Sequence, residues 1–392
     1  MGHRQGWLDD PLGALIGAER VADFLARIYE REALVVAHGE PARFADLLSL
    51  DDVDRIVTST DLREGQLDLA DASRDLSRAD YIDGGLIDRG AVAERHRAGA
   101  TIILQQAHQH QPILARFCRA LEHVFSAHVQ TNIYLTPPNA QGFRTHFDNH
   151  DVFVIQISGE KLWRLYDMPV ETPYRGEQYR SGEHATGELR QEFLLRAGDC
   201  AYVPRGLMHD AQTSGSEPSL HVTVGLITRT WADLMLEAVS EVALREKAFR
   251  RSLPPGFARA GFDRAAALAQ LKGLIETASR EVALDPALDL MIDTFIRSRA
   301  ADNRAAISEA SRPVLAEDRF CLRAHSPFRL AEDGEKTIVL IAPGGDLNFP
   351  IEARAGVERA ISGAAFSVDD VIAEKPEALV LLLLAHGLIE RV

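Results

Sequence analysis

Residues 132–167 read NIYLTPPNAQGFRTHFDNHDVFVIQISGEKLWRLYD, and the fold is decided by how this stretch is understood. It holds the triplet His146-Phe147-Asp148 directly ahead of a run of alternating apolar residues. In an extended strand residues i and i+2 point to one face, so His146 and Asp148 project together. An imidazole and a carboxylate sharing a cavity make two thirds of the 2-His-1-carboxylate triad that holds non-haem Fe(II) and leaves coordination positions open. The remaining ligand has to come from elsewhere in the chain.

Three histidines follow in the same region. His184 lies in the polar loop RSGEHATGE and reads as solvated. His209 ends AYVPRGLMH, which is a strand, a Pro-x-Gly turn and then the imidazole, all preceded by the Gly198-Asp199 turn. His221 opens the next strand, HVTVGLIT, and competes with His209. A histidine beside a strand is more often structural than ligating, and His-x-Asp alone is a weak signal. Its combination with Gly-Asp…Pro-x-Gly-x-x-His, ending 63 residues after His146, is far more specific. The expected metal set, and with it the catalytic centre, is His146, Asp148 and His209. His150 and Asp151 lie close by and read as supporting or surface residues. His108 and His110 have i, i+2 spacing but no carboxylate partner, and read as surface residues.

Around this centre, TNIYL, DVFVIQIS, KLWRLYD, EFLLR, CAYVP and HVTVGLIT are short runs with period-two or β-branched character, broken by Gly, Pro, Asp and Asn. That is the pattern of an antiparallel barrel or jelly roll. Ser158-Gly159-Glu160 and Ala197-Gly198-Asp199 are its turns. Upstream, Val21, Phe24, Leu25 and Ile28 have helical spacing, ALVVAHG and TIIL are strands, and Pro112 to Phe125 is an amphipathic helix with proline in its first turn. From 230 the chain turns helical. Thr230 and Asp233 form a capping box, Asp263 caps a second helix, and DPALDLMIDTFIRSRA is a third. Such a block is a dimer interface or a cover for one barrel face, and periodicity does not separate the two. After residue 318 a hairpin turns at Pro343 to Asp346, a helix follows over 353–361, Ser367 opens a capping box, and a last helix ends at Gly387. Small helices with a hairpin resemble a winged-helix unit. Ser367 to Glu374, where a recognition helix would lie, carries three acidic residues and no Lys or Arg, which favours a structural or protein-contact role over DNA.

The 392 residues carry a formal charge of −15 with 46% hydrophobic content. An acidic surface repels phosphate backbones, so direct nucleic-acid binding is not expected; it suits a basic protein partner, or simply keeps the chain soluble. Three widely spaced cysteines form no CxxC and fit a reducing, cytoplasmic setting. The stretch MGHRQGWLDDPLGALIG has no apolar signal core, and Gly6 occupies the position where myristoylation needs Ser or Thr. The most apolar run, Ala378 to Leu384, is too short to span a membrane.

An iron triad leaves room for a chelating 2-oxo acid such as 2-oxoglutarate, whose far carboxylate then needs a cation or hydroxyl deep in the barrel. Lys161, Trp163 and Leu165 share one strand face. A buried lysine is costly unless an anion accompanies it, so an inward Lys161 implies an anionic ligand; an outward one is an ordinary turn lysine. Asn132 and Tyr134 alternate on one face of an earlier strand and add hydrogen-bonding groups.

From Asn132 to Tyr166 the pattern NIYLTPP-x-x-QGF-x-x-H-x-D-x-HDVF-x-x-Q-x-x-G-x-K-x-W-x-x-Y resembles the JmjC-type cupin-like ribosomal oxygenases, which are Fe(II)- and 2-oxoglutarate-dependent protein hydroxylases. GATIILQQ, FLARIYEREALVV and GDCAYVPRGLMHDA are similar to the same family, and the likeness is strongest over about 98–228. The resemblance implies an α+β chain: a double-stranded β-helix catalytic domain over 1–230, a helical dimerisation region over 231–317 and a winged-helix-like domain over 318–392. It implies that His146, Asp148 and His209 hold iron, that Lys161 anchors 2-oxoglutarate, and that Asn132 and Tyr134 assist. Where the family often has a small hydroxyl residue late in the barrel this chain has Gly225, with Thr223 as a substitute. The implied partner is a basic ribosomal protein hydroxylated on Arg or His, and the implied assembly a homodimer. Alternatives are an oxygenase of the same class acting on another protein, a peptide or a methylated residue, and a non-catalytic metal-binding cupin.

Overall fold

The computed structural model describes residues 4–392, so the reading of residues 1–3 lies outside the described residues. The chain divides into two compact units, with the boundary between Thr228 and Arg229.

In the first unit, strands β1 (Leu34–Val36), β2 (Leu67–Ala70), β3 (Thr101–Leu104), β4 (His128–Thr136), β5 (Asp151–Ser158), β6 (Glu160–Leu165), β7 (Gln191–Arg196), β8 (Cys200–Val203), β9 (His209–Thr213) and β10 (Ser219–Ile227) build two antiparallel sheets. The larger has the order β1-β8-β5-β10-β4-β3-β2, the smaller β9-β6-β7. Val152, Val154 and Ala201 of the large sheet pack on Trp163 and Leu195 of the small one. This is the double-stranded β-helix of the jelly-roll expectation.

Sequence alternation is imperfect in β5 because both of its faces are covered. Val152 and Val154 face the small sheet. Phe153, Ile155 and Ile157 face a helical layer that includes Phe24, Leu114, Phe117 and Leu121. A strand buried on both sides reads as a continuous apolar run instead of alternating with polar residues. The helix carrying Leu114, Phe117 and Leu121 spans Pro112–Phe125, as its spacing predicts, with proline at its start. Phe24 meets Tyr202 edge-on at 4.9 Å, and Tyr202 lies 5.1 Å from Phe153. Such aromatic pairs add about 0.5–1.5 kcal/mol each beyond their buried area. Short β2 was not legible: Leu67 and Leu69 are buried but only four residues alternate, flanked by acidic turns.

In the second unit, helices α1 (Trp231–Arg245), α2 (Arg264–Glu281) and α3 (Leu284–Arg297) follow the boundary. The Thr230–Asp233 capping box and the Asp263 cap are both formed. Further on, β11 (Arg329–Asp333), β12 (Thr337–Ile341) and β13 (Leu347–Pro350) form an antiparallel sheet. The predicted hairpin is β12–β13, while β11 is an additional edge strand whose acidic end hid it. Ser367 does cap its turn, with the Ser367 amide donating to Asp370 Oδ2 at 2.7 Å. The turn is a single 3-10 turn over Val368–Asp370, so no recognition helix occupies Ser367 to Glu374. The last helix, α4 (Pro376–Ala385), stops before Gly387, which adopts a φ of 66°. Among the described residues no helix is long and apolar enough to cross a membrane.

Candidate active site

The two segments carrying the expected ligands are zipped together by backbone. The His146 amide donates to the His209 carbonyl at 3.0 Å, and the His209 amide returns a bond of 2.7 Å. The Gly206 amide donates to the Asp148 carbonyl at 2.9 Å. The side chains of His146, Asp148 and His209 converge, with one ligand atom from each lying within 4.8 Å of the others. His146 Nε2 is 4.0 Å from Asp148 Oδ1, and His209 Nε2 is 3.7 Å from Asp148 Oδ2.

Each imidazole is oriented through its other nitrogen. His146 Nδ1 bonds to the Arg144 carbonyl at 2.8 Å and His209 Nδ1 to the Leu207 carbonyl at 2.9 Å. A carbonyl only accepts, so Nδ1 carries the hydrogen and Nε2 presents its lone pair to the centre. Burial, then the neighbouring His146, pushes His209 down to about 4, which keeps it neutral and able to ligate. Burial works against charge on Asp148, but His146, His209 and His150 outweigh it and hold the carboxyl below its ordinary range. Two neutral nitrogens and one carboxylate form a donor set suited to a divalent transition metal.

These residues open into a cavity of ≈ 690 Å³ that is also lined by Thr101, Tyr134, Lys161, Trp163, His221 and Thr223. Lys161 points inward and is 4% exposed. Its Nζ donates to Thr136 Oγ1 at 3.0 Å, and the Thr101 hydroxyl meets Thr136 Oγ1 at 3.1 Å. Burial alone lowers the ammonium to about 7, so no carboxylate among the described residues offsets its charge. Thr136 was not singled out from sequence, although it is the next residue on the Asn132–Tyr134 face. Burial and Asp148 push the Tyr134 phenol up, while Thr223 and Asn132 pull the other way.

Asn132 is not among the residues lining the cavity; its Oδ1 accepts from the Gln106 amide at 3.0 Å, where the chain turns with a φ of 49°. Thr223 does line it, with its hydroxyl 3.4 Å from the Asn132 carbonyl. Gly225 lies under the His150 ring: a Cβ there would come within 2.7 Å of His150 Cδ2.

Other expectations need correction. Of the two readings of Asp151 the supporting one fits and the surface one does not: it is wholly buried, accepting from the Tyr202 hydroxyl at 2.6 Å and from Arg205 at 2.7 Å. Arg205 also meets Glu30 at 2.7 Å. This buried charge cluster fixes the Pro-x-Gly turn ahead of His209 to the start of β5, just after Asp148. His184 is half-buried, with its ring 5.3 Å from that of Phe147. His108 is half-buried and accepts from the Thr131 amide at 3.3 Å. In each case the partner lies far along the chain, which is why local polarity misled. His221 is no member of the triad, but it shares the cavity wall.

The JmjC domain family matches residues 103–234. Ribosomal oxygenase 1 of Rattus norvegicus is 33% identical over 250 residues, covering 60% of this chain and 40% of that protein. The bifunctional lysine-specific demethylase and histidyl-hydroxylase NO66 of Culex quinquefasciatus is 27% identical over 292 residues, covering 70% and 45%. The chain thus spans under half the length of these curated relatives. The Escherichia coli ribosomal oxygenase YcfD has a TM-score of 0.56 at 15% sequence identity, covering 95% of this chain and 98% of its own, which is a likeness of fold. YcfD has also been solved with cobalt and 2-oxoglutarate, at a TM-score of 0.54, 16% identity and coverage of 94% and 97%.

Proposed function

We propose that the chain, whose residues 103–234 match the JmjC domain family and which is similar to ribosomal oxygenase 1, is an Fe(II)- and 2-oxoglutarate-dependent oxygenase that hydroxylates a protein side chain. The observation carrying this reading is the pairing, in one cavity, of a two-His-one-Asp donor set with a buried ammonium that no carboxylate among the described residues balances. An iron-bound dicarboxylate supplies both missing partners. When bound, Fe(II) with 2-oxoglutarate and O2 supplies a two-electron oxidation that places one oxygen atom on a side-chain carbon, with succinate and CO2 as the other products.

The protein's own residues divide the remaining work. His146 and His209 present lone pairs from fixed rings, and Asp148 contributes the negative charge. Lys161, backed by the Thr136 and Thr101 hydroxyls, neutralises the far carboxylate of 2-oxoglutarate. Tyr134 and Thr223 orient it, and Asn132 steadies Tyr134. Val152, Val154 and Trp163 line the cavity with apolar surface and limit the access of water.

The target class is a basic ribosomal protein approached by an acidic chain of net charge −15, with Arg or His as the hydroxylated residue. We assign 1–230 to catalysis, 231–317 to dimerisation and 318–392 to a winged-helix-like domain. Dimerisation is supported by α2, none of whose residues is buried, and which exposes Leu268, Leu271 and Ile275 at helical spacing. A cytoplasmic location accords with the three free cysteines. Intact-mass measurement of ribosomal proteins from cells with and without the chain tests the reading. One protein should gain the mass of one oxygen atom, and His146→Ala should abolish the gain. A demethylase acting on a methylated residue would instead remove mass, and an unchanged ribosome would remove the proposed target.

A further inference from the structure

One wall of the cavity is a row of four rings. His209 stacks on Trp163 with centroids 5.8 Å apart. Trp163 meets His221 edge-on at 6.0 Å, and His221 lies parallel to Tyr134 at 4.8 Å and an interplanar angle of 1°. The row runs from the metal-facing histidine toward the pocket of Lys161. His221 is the member that neither the donor set nor the barrel core accounts for.

His221 is 3% exposed and lines the cavity, yet its Nδ1 has no hydrogen-bond partner among the described residues. Leaving a buried polar atom unsatisfied is costly, so a polar side chain at such a position calls for a reason. Packing alone would be met by a phenylalanine, which stacks on tyrosine as well. Burial, then the nearby Lys161, drives the ring well below its ordinary titration range, so it is uncharged. An uncharged imidazole carries one N–H. On Nδ1 that hydrogen would be sealed in without an acceptor; on Nε2 it leaves only a bare lone pair behind. The second tautomer is the cheaper, and it gives the ring a donor to offer.

Resting on the reading that Lys161 receives the far carboxylate of 2-oxoglutarate, we infer that His221 is a second anchor of that carboxylate, donating a ring N–H to it beside the lysine. Lys161 supplies charge. His221 supplies direction, because its ring is clamped between Tyr134 and Trp163 and cannot swing. An ammonium on a flexible stem and an N–H on a fixed ring together define both where the carboxylate sits and how it is turned. The role is one of positioning and affinity, not of proton transfer.

The test uses ligands that report the two ends of 2-oxoglutarate separately. Binding to the Co(II)-loaded, full-length protein is measured by calorimetry for 2-oxoglutarate, for glutarate and for pyruvate, which lacks the far carboxylate. His221→Phe keeps the ring stack and removes the donor. It should weaken 2-oxoglutarate and glutarate by about tenfold or more, the worth of a hydrogen bond to a charged acceptor. Pyruvate and Co(II) affinities should not move. His221→Gln, which retains an N–H, should recover part of the loss and carries the test if the phenylalanine variant fails to fold. Unchanged 2-oxoglutarate binding in the donor-free protein, or an equal loss for pyruvate, overturns the inference. Lys161→Met separates this failure from that of the underlying reading: if it too binds 2-oxoglutarate normally, the carboxylate is not held in this pocket at all.

Discussion

Lys161 makes the proposed cosubstrate site a proton-coupled one, and the coupling has a calculable size. The ordinary ammonium value is 10.5, and burial alone brings Lys161 down to about 7 before any anion arrives. At pH 8 the group is therefore protonated in only about one molecule in ten. A carboxylate placed against it favours the charged form and restores the proton. Binding of 2-oxoglutarate at pH 8 should take up about 0.9 proton per ligand, falling to about 0.1 at pH 6, where the ammonium already carries it. Proton and anion bind cooperatively, so raising the pH above about 7 should weaken binding by roughly tenfold per pH unit until the bound-state value is reached. Calorimetry at pH 8 in buffers of different ionisation enthalpy reads the uptake directly, from the slope of observed against buffer enthalpy. A slope of zero, or proton release, refutes the reasoning.

The same group gives the protein a stability signature. The unfolded chain binds this proton up to about 10.5, the folded one only up to about 7, so between those values stability should rise with pH, and below about 7 the full cost is present. That cost is about 5 kcal/mol at 1.36 kcal/mol per pH unit. Lys161→Met should accordingly raise the melting temperature of the protein without cosubstrate at pH 6–7 while abolishing the proton uptake. A gain in stability coupled to a loss of ligand is the mark of a group retained for binding and not for folding.

His209→Ala should eliminate tight Co(II) binding by calorimetry while leaving far-ultraviolet circular dichroism unchanged, since the residue opens β9 at the cavity and its backbone bonds survive. Gly198→Ala should be severely destabilising, because φ is +87° and the added Cβ would come within 2.0 Å of the Glu40 carbonyl; a loss of about 3 kcal/mol or more is expected in urea unfolding. Ile275→Glu on the exposed face of α2 should halve the mass seen by light scattering without changing Co(II) affinity; an unchanged mass would remove the proposed dimer face.

Legibility in the sequence tracked the range of the physics. Helix Pro112–Phe125 was readable because its period and its proline are local, and the caps at Thr230 and Asp263 because a capping hydrogen bond closes within three residues. His146 and Asp148 do converge, but not as strand neighbours: they lie in the loop ahead of β5, where only His146 makes an isolated bridge, to His209. The 63-residue jump to His209 rested on turn chemistry around Gly198 and Pro204, and the structure bridges it with paired backbone bonds. What stayed hidden depends on distant partners. Asp151 stays open between a supporting and a surface acid until Arg205 and Tyr202 are brought to it. His184 looks solvated until Phe147 is packed against it. Asn132 shares a strand face with Tyr134, yet its side chain bonds to the Gln106 amide and does not line the cavity.

Gly225 is the sharpest case, because the structure supplies a reason for a residue without a side chain there. On β10 it pairs with Val152 of β5, and the His150 ring from the loop before β5 fills the space that a side chain would take. Neither residue lines the cavity, whereas Thr223, two positions earlier on the same strand, does. The space beside position 225 is thus occupied by the His150 imidazole, and on β10 the hydroxyl that lines the cavity is that of Thr223. Gly225→Ser should push His150 aside, which is cheap for the end of a half-buried side chain and should cost about 1 kcal/mol or less. It should leave 2-oxoglutarate affinity within about threefold of the parent, while Thr223→Val should weaken it more. A tenfold gain on adding the serine would mean that position 225 reaches the ligand after all, and that His150 yields to it.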